Sequence, residues 1–181
     1  MTNTNKQFDA VVESSRDIYS KKTKDYGTSW RVLRTISIVD QIFIKAKRIR
    51  TIQEIGLQKI GDDIASEFKG ILNYAIIGII QLGFAADEQS ELTVDKAMSL
   101  YDEQAAKAKA LMQDKNHDYG EAWRDMSQES FTDLILSKLL RIKQIIGNDG
   151  KTVISEGIDA NYYDIINYAA FALILIEEGK Q

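Results

Sequence analysis

The sequence predicts an all-α fold, a helical bundle of about six helices made from a tandem three-helix repeat with internal pseudo-twofold symmetry. Two observations lead to this prediction. The 181 residues include no proline and only 11 glycines, which permits long helices and disfavours a β-rich design that depends on tight turns. The second observation is an internal repeat, which makes two interlocking halves the unit of folding.

The repeat is clearest in two ten-residue strings. KTKDYGTSWR occupies residues 22–31 and KNHDYGEAWR occupies residues 115–124, with six identical positions. At the same offset of 93, the match continues without a gap to residue 50, and 12 of 29 positions are identical, where chance would give about two. After one inserted residue, LNYA at 72–75 aligns with INYA at 166–169. We interpret the chain as a tandem duplication.

The duplication defines the predicted organisation. Residues 1–181 form a single all-α domain, in which residues 1–86 are the first repeat, 87–95 a linker and 96–181 the second repeat. We expect helices at about residues 6–24, 36–55, 60–84, 93–115, 129–147 and 152–178, with boundaries uncertain by about two to four residues.

The first helix of each repeat is expected to end near a glycine. Gly27 and Gly120 follow the predicted helices, and glycine accepts the left-handed conformation that closes a helix. Thr93 stands at the start of the first helix of the second repeat and is a candidate N-cap for that helix.

The second and third helices of each repeat differ in their apolar pattern. Ile38, Ile42, Ala46 and Ile49 form one stripe at helical spacing, and Phe131, Ile135 and Ile142 repeat it, as in an amphipathic helix. The third helices are apolar nearly all round, which predicts that they are central.

Composition also narrows the function. The chain lacks cysteine and has one histidine, His117, which excludes disulfides and thiolate metal sites. A net charge of −4 argues against direct nucleic-acid binding, which a basic surface drives. The apolar run at residues 71–86 is shorter than the roughly 20 residues of a membrane span. We expect a cytoplasmic protein that does not bind membranes. The sequence is compatible with a homodimer.

The repeated string allows two interpretations. In the structural one, Lys115 complements the helix dipole while Tyr119 and Trp123 pack on a neighbouring helix. An acid in the last turn, Asp118, opposes the dipole and should have a partner. In the functional interpretation, Lys115, Asp118 and Tyr119 line a ligand site and Trp123 offers a flat face for a base.

Charges on the second and third helices allow the same choice. Lys138 and Arg141, copied from Lys45 and Arg48, could each pair with a carboxylate on the third helix or bind an anionic ligand. Glu156, Asp164 and Asn167 fall on one ridge of the predicted last helix. Carboxylates there are costly unless paired or bound to a cation, and hard oxygen ligands suit Mg²⁺. The first repeat has Asp62, Gly70 and Asn73 at these places.

These motifs resemble a known family. The DYG-x-x-W string, the K-x-x-R-I helix and the last helix with Glu156, Asp164, Asn167 and Tyr168 are similar to the nucleotide-modification-associated domain, found in bacteria and phages and first catalogued as a domain of unknown function. The family name implies a link to modified nucleotides by genomic association. The chain departs from the family pattern at Ala160, where an additional acid is expected, and at Gly70.

A more distant similarity, to all-α nucleoside triphosphate pyrophosphohydrolases, suggests an activity. As catalytic residues and metal ligands, Glu156 and Asp164 would hold Mg²⁺; Asn167 would orient the metal. Lys138 and Arg141 would bind phosphate, and Tyr119 or Trp123 would stack on the base. The alternative is a non-catalytic helical interaction or scaffold module, in which the charges are internal ion pairs.

Overall fold

The computed structural model describes residues 2–56 and 63–180. This part of the chain is helical, without strands, and consists of six α-helices and two short 3-10 helices. The α-helices are α1 (Thr2–Tyr26), α2 (Thr35–Ile55), α3 (Ile64–Leu82), α4 (Val94–Tyr119), α5 (Gln128–Gly147) and α6 (Ile158–Glu177); the 3-10 helices are Ser29–Val32 and Ala122–Asp125. No helix in these ranges has both the length and the apolar character needed to cross a membrane.

The two third helices form the centre of the bundle, as the sequence predicts. α3 packs along α6, while α2 packs on α3 and α5 on α6. α1 and α4 close the bundle by contacting each other and both central helices. The apolar stripe of α2 and that of α5 are fully buried, including Ile38, Ile42, Phe131 and Ile135. Both repeats therefore share one hydrophobic core.

The pseudo-twofold relation is visible in matching ion pairs between α2 and α5. Asp40 Oδ1 lies 3.3 Å from Lys143 Nζ, and its counterpart Asp133 Oδ1 lies 3.7 Å from Arg50 Nη1. Each residue is related to its counterpart by the offset of 93 found in the sequence. Since the side chains are substantially exposed, such pairs add little stability, but they show that the two halves face each other symmetrically.

The predicted helix ends are confirmed at three positions. Gly27 and Gly120 adopt positive φ values of 70° and 63°, and the Gly120 N–H donates to the Asn116 carbonyl. Thr93 caps α4 by accepting a hydrogen bond from the Lys96 N–H at 3.2 Å. These local signals depend on single residues and their own backbone, which is why the sequence predicts them correctly.

The predicted start of the last helix at residue 152 is wrong. α6 begins at Ile158, after Gly157, whose backbone is extended. Val153 and Ile154 are almost fully exposed, so burial of their side chains against the bundle does not stabilise a helix here, and β-branched residues have low helix propensity. The predicted start of the third helix at residue 60, and Asp62, lie outside the described residues; α3 is capped by Asp63, which accepts from the Ser66 N–H.

Candidate functional site

A pocket of about 370 Å³ lies at the corner between α4, the second 3-10 helix and α6. It brings together five of the predicted site residues: Lys115, Tyr119, Trp123, Asp164 and Asn167. Tyr168 and Phe171 of α6 and Met112 and Asn116 of α4 also line it. The repeated string and the polar ridge of the last helix therefore meet in one place, although 49 residues separate Lys115 from Asp164.

Asp164 is clamped by two lysines. Its Oδ1 accepts from Lys115 Nζ at 2.7 Å and its Oδ2 lies 2.7 Å from Lys138 Nζ. The side chains of Asp164 and Lys138 are each 12% exposed, whereas that of Lys115 is 54% exposed. The prediction that the lysine of the second helix pairs with a carboxylate on the third helix is thus confirmed for Lys138.

The clamp sets the protonation state of Asp164. Burial by itself would raise the pKa of this carboxyl, but hydrogen bonds from Lys115 and Lys138 outweigh burial and hold the pKa below its usual value. Conversely, burial would lower the pKa of Lys115, and the Asp164 carboxylate outweighs it and raises that pKa. At neutral pH the cluster consists of one carboxylate between two ammonium groups, because opposite charges favour each other's ionised form.

The aromatic residues of the string have different surroundings. Trp123 is buried, with its indole stacked on Phe171 at a centroid distance of 4.2 Å and its Nε1 donating to Asn116 Oδ1 at 3.1 Å. Tyr119 is 74% exposed at the rim. Trp123 is thus the floor of the pocket, as the structural interpretation predicts, while Tyr119 offers an accessible ring to a ligand. The half-buried Tyr168 lies beside the clamp, and its burial raises the pKa of its phenol.

Four predicted site residues, Asp118, Lys138, Arg141 and Glu156, do not line this pocket. Asp118 is exposed, with His117 Nδ1 3.0 Å from its Oδ1. Arg141 and Glu156 line a separate open groove of about 1170 Å³, to which Lys138 also contributes. Glu156 belongs to the segment before α6, not to the helix. The predicted single ridge of Glu156, Asp164 and Asn167 is therefore wrong, because the helix on which it depended begins after Glu156.

The magnesium prediction meets a specific obstacle at Asp164. Each of its oxygens already contacts a lysine ammonium group, and these two positive charges would repel a metal ion bound to the same carboxylate. Within the described part of the chain, no group of three histidine, cysteine or acidic side chains has the arrangement of a metal site. Mg²⁺ at Glu156 and Asp164 stays a prediction, and no chemical step is assigned to it.

The first repeat forms the equivalent pocket with different charges. A cavity of about 420 Å³ is lined by residues that include Lys22, Tyr26, Trp30, Lys45, Gly70, Asn73 and Tyr74. These are the counterparts of Lys115, Tyr119, Trp123, Lys138, Asp164, Asn167 and Tyr168 in the alignment. The acid of the first repeat stands one helical turn earlier, at Glu67, and pairs with Arg48 at 2.9 Å.

The sequence interpretation assigned no role to the arginine that ends each string. Arg31 is buried and donates to the carbonyl oxygens of Glu88 and Ser90, at 2.5 and 3.1 Å. Arg124 instead donates to Glu178 Oε1 at 3.0 Å and to Thr4 Oγ1 at 2.7 Å. The presence of arginine at the same position of both strings could have indicated a structural role for it. The partners of the arginine differ between the repeats and could not be predicted from the sequence.

Fold and site together define an all-α protein of tandem repeats, with a lysine-lined aromatic pocket at the corner of each repeat. Comparison with family models agrees: the model of nucleotide modification associated domain 1 matches residues 22–82 and again residues 115–176. The chain belongs to this family as two tandem copies. Neither the curated proteins nor the solved structures include a match to the chain.

Proposed function

We propose that the protein binds a nucleotide in the pocket of the second repeat. The observation that carries the proposal is that Lys115 and Asp164 of the clamp line a cavity whose walls also include four aromatic side chains, those of Tyr119, Trp123, Tyr168 and Phe171. Ligand sites typically combine apolar walls with a few polar groups that fix orientation. At about 370 Å³, the cavity lies near the lower end of the usual range for small-ligand sites, roughly 300–1,000 Å³.

Each part of a nucleotide has a complementary group. The ring of Tyr119 is accessible for stacking on a base, a contact worth about 1–3 kcal/mol. The Asp164 carboxylate can accept hydrogen bonds from ribose hydroxyls or an exocyclic amine in addition to those from the lysines. The Lys115 ammonium, more than half exposed, keeps donors for a phosphate at the mouth. The family's association with nucleotide modification supports the same ligand class.

Hydrolysis is the finer form of this proposal. A pyrophosphohydrolase would use Mg²⁺ to polarise a phosphoryl oxygen and lower the pKa of an attacking water. Since Asp164 is already paired with two ammonium groups, we propose binding as the primary function. Phosphate release is the additional property to be tested.

Isothermal titration calorimetry with a panel of ribo- and deoxyribonucleotides, with and without Mg²⁺, tests the proposal. We expect Lys115→Gln and Tyr119→Ala each to weaken nucleotide binding about tenfold. Lys107→Gln makes the same charge change on an exposed face of α4 and should bind like the wild type. Equal affinities for wild type, Lys115→Gln and Tyr119→Ala would refute a nucleotide site in this pocket.

The same samples should be assayed for phosphate and pyrophosphate release. Release that requires Mg²⁺ and is lost in Asp164→Asn would make the protein an enzyme with its centre on α6. Binding without release would identify a nucleotide-binding protein.

One observation favours the second candidate, a non-catalytic interaction module. The charges on the two central helices pair internally: Asp164 with two lysines, and Glu67 with Arg48. If no nucleotide binds and Asp164→Asn lowers only the stability of the fold, these charges serve the bundle alone.

A further inference from the structure

We propose that the pocket of the first repeat is a second site, which binds the phosphate of a nucleoside monophosphate between Lys22 and Lys45. The phosphate would occupy the place that the Asp164 carboxylate takes in the second repeat. This site is separate from the pocket of the proposed function, and the inference does not depend on it.

The second repeat demonstrates what the two lysines do with an oxyanion. Lys115 at the end of α4 and Lys138 on α5 converge on Asp164 of α6, each at 2.7 Å. The first repeat retains both cations, Lys22 on α1 and Lys45 on α2, at the aligned positions. Gly70 of α3 replaces the aspartate. The duplicated corner thus keeps both lysines and lacks the aspartate that joins them in the second repeat, and we expect a ligand to supply the oxyanion.

The replacement by glycine lets the side chain of Lys45 lie directly against the backbone of α3. A Cβ placed at Gly70 would lie 3.0 Å from Cδ and Cε of Lys45 and 3.2 Å from its Nζ. The ammonium group therefore lies over the bare backbone of α3, where the carboxyl side chain starts in the other repeat. Together with Lys22 it lines the cavity of about 420 Å³.

The acid that lines this cavity, Glu67, is closer to an arginine than to the lysine. Arg48 Nη1 donates to Glu67 Oε1 at 2.9 Å, whereas Lys45 Nζ forms only a longer ion pair with Glu67 Oε2, at 3.7 Å. Within residues 2–56 and 63–180, Lys22 has no ion-pair partner. The lining thus contains two lysines and one acid, Glu67, whose shorter contact is to an arginine, which gives the pocket an excess of positive charge.

The walls indicate what carries the phosphate. Tyr26 is 55% exposed at the rim, Tyr74 is half-buried, and Trp30 is buried at the corner. Exposed aromatic rings can stack on any nucleobase. Two lysines also match the charge of a phosphate monoester, roughly −1.5 to −2, better than they match the single charge of a carboxylate. A nucleoside monophosphate combines the two features.

The first test is calorimetric titration of the full chain with a panel of nucleoside monophosphates at low salt. We expect Lys22→Gln to weaken nucleoside monophosphate binding to the first pocket about tenfold. We expect Lys115→Gln, a change in the second pocket, to leave binding to the first pocket unchanged. Lys21→Gln is the matched control, since Lys21 is exposed and pairs with Asp17 on the outside of α1. Wild-type affinity in Lys22→Gln would overturn the inference. An effect of Lys115→Gln alone would support only the second-repeat site.

The second test exchanges the acid between the repeats, with inorganic phosphate as the probe. Gly70→Asp gives the first pocket its own carboxylate, and we expect it to abolish phosphate binding. The atoms nearest to a new Cβ belong to the flexible end of Lys45, so we expect the fold to tolerate the change. Asp164→Gly removes the carboxylate from the second clamp and should add a second phosphate site.

Two results would overturn the inference here. One is unchanged phosphate binding in a Gly70→Asp variant with the wild-type circular dichroism spectrum. The other is the absence of phosphate binding in both the wild type and Lys115→Gln, with nucleoside monophosphates also failing to bind. Loss of nucleotide binding in Lys115→Gln, with the Lys22-dependent phosphate site retained, would separate the two pockets.

Discussion

Asn73 and Asn167 make the same hydrogen bond in the two repeats, but only Asn73 has its carbonyl satisfied. Asn73 Nδ2 donates to the Ser15 carbonyl at 2.9 Å, and Asn167 Nδ2 donates to the Ala108 carbonyl at 3.2 Å. Tyr101 then donates its hydroxyl to Asn73 Oδ1 at 2.7 Å. Asn167 Oδ1 is buried and has no hydrogen-bond partner among the described residues.

Internal symmetry explains the missing partner and gives a prediction. The counterpart of Tyr101 at the offset of 93 is Phe8, which lacks a hydroxyl. We expect Phe8→Tyr to supply the donor for Asn167 and to raise the free energy of unfolding by about 1 kcal/mol, measured by urea denaturation. In the reciprocal variant, Tyr101→Phe should lower it by about 1–3 kcal/mol because it leaves Asn73 Oδ1 unpaired. Destabilisation by Phe8→Tyr would show that the packed core between Phe8 and Asn167 cannot accept the hydroxyl.

Tyr162 of α6 packs its ring on the backbone of α3 at Gly78. A Cβ at Gly78 would lie 2.5 Å from Cζ of Tyr162, and the buried Tyr162 hydroxyl has no partner in the described ranges. We expect Gly78→Ala to destabilise the fold by about 1–3 kcal/mol, as overpacking does. Tyr162→Phe, which copies Phe68 of the first repeat, should be neutral or stabilising by up to about 1 kcal/mol. Thermal denaturation of both variants measures the difference; equal melting temperatures for Gly78→Ala and the wild type would contradict this packing.

The Asp164 clamp predicts a dependence of stability on pH. Since the pKa of Asp164 is lower in the folded chain than in the unfolded chain, its stabilisation is complete above the unfolded pKa of about 3.9 and is lost as the pH falls through the folded pKa. At pH 7 we expect Asp164→Asn to cost about 1–3 kcal/mol, less than a fully buried pair because Lys115 is solvated.

The difference between wild type and Asp164→Asn should therefore shrink below about pH 4. Urea denaturation of both proteins from pH 7 to pH 3 measures it. Asp118→Asn makes the same chemical change at an exposed position, and its effect should stay within about 0.5 kcal/mol. A wild-type advantage that is constant over the whole range would exclude the Asp164 clamp as its source.

Arg31 holds the linker between the repeats. It donates to the carbonyls of Glu88 and Ser90, and the Leu92 N–H donates to Thr28 Oγ1 at 2.9 Å. Arg31→Met would remove both carbonyl bonds, and we expect faster limited proteolysis within residues 83–93, because loss of those bonds lowers the cost of local opening. Arg34→Met, a change at an exposed position, should be cleaved like the wild type. Equal cleavage rates for Arg31→Met and wild type would show that other contacts secure the linker.

The parts of the fold that depend on local signals could be predicted from the sequence. The apolar stripes of α2 and α5, the glycines that end α1 and α4, and the Thr93 cap each follow from a few neighbouring residues. The start of α6 was missed because the segment with Val153 and Ile154 has no burial surface in the bundle, a property of the tertiary arrangement. The short 3-10 helices were missed too, since four residues carry too little periodicity to detect.

The residues of the candidate site could also be predicted only in part from the sequence. The repeat by itself pointed to Lys115, Asp118, Tyr119 and Trp123, and the acid on the last helix to Asp164. It could not separate the exposed Asp118 from the residues that line the pocket, or the buried Trp123 from the accessible Tyr119. Which of these residues are exposed and which are buried depends on how the corner packs against α6. That packing is set by contacts such as the stacking of Trp123 on Phe171.

The sequence by itself determined that this protein is two copies of one helical unit around a shared core, because duplication and apolar periodicity are properties of residue order. Only the tertiary structure decided which charges meet. Lys115, Lys138 and Asp164 come from three helices, and their contacts depend on how those helices pack against each other. The same packing places Lys45 against Gly70 and brings Lys22 into the same cavity, where the first repeat lacks the counterpart of Asp164.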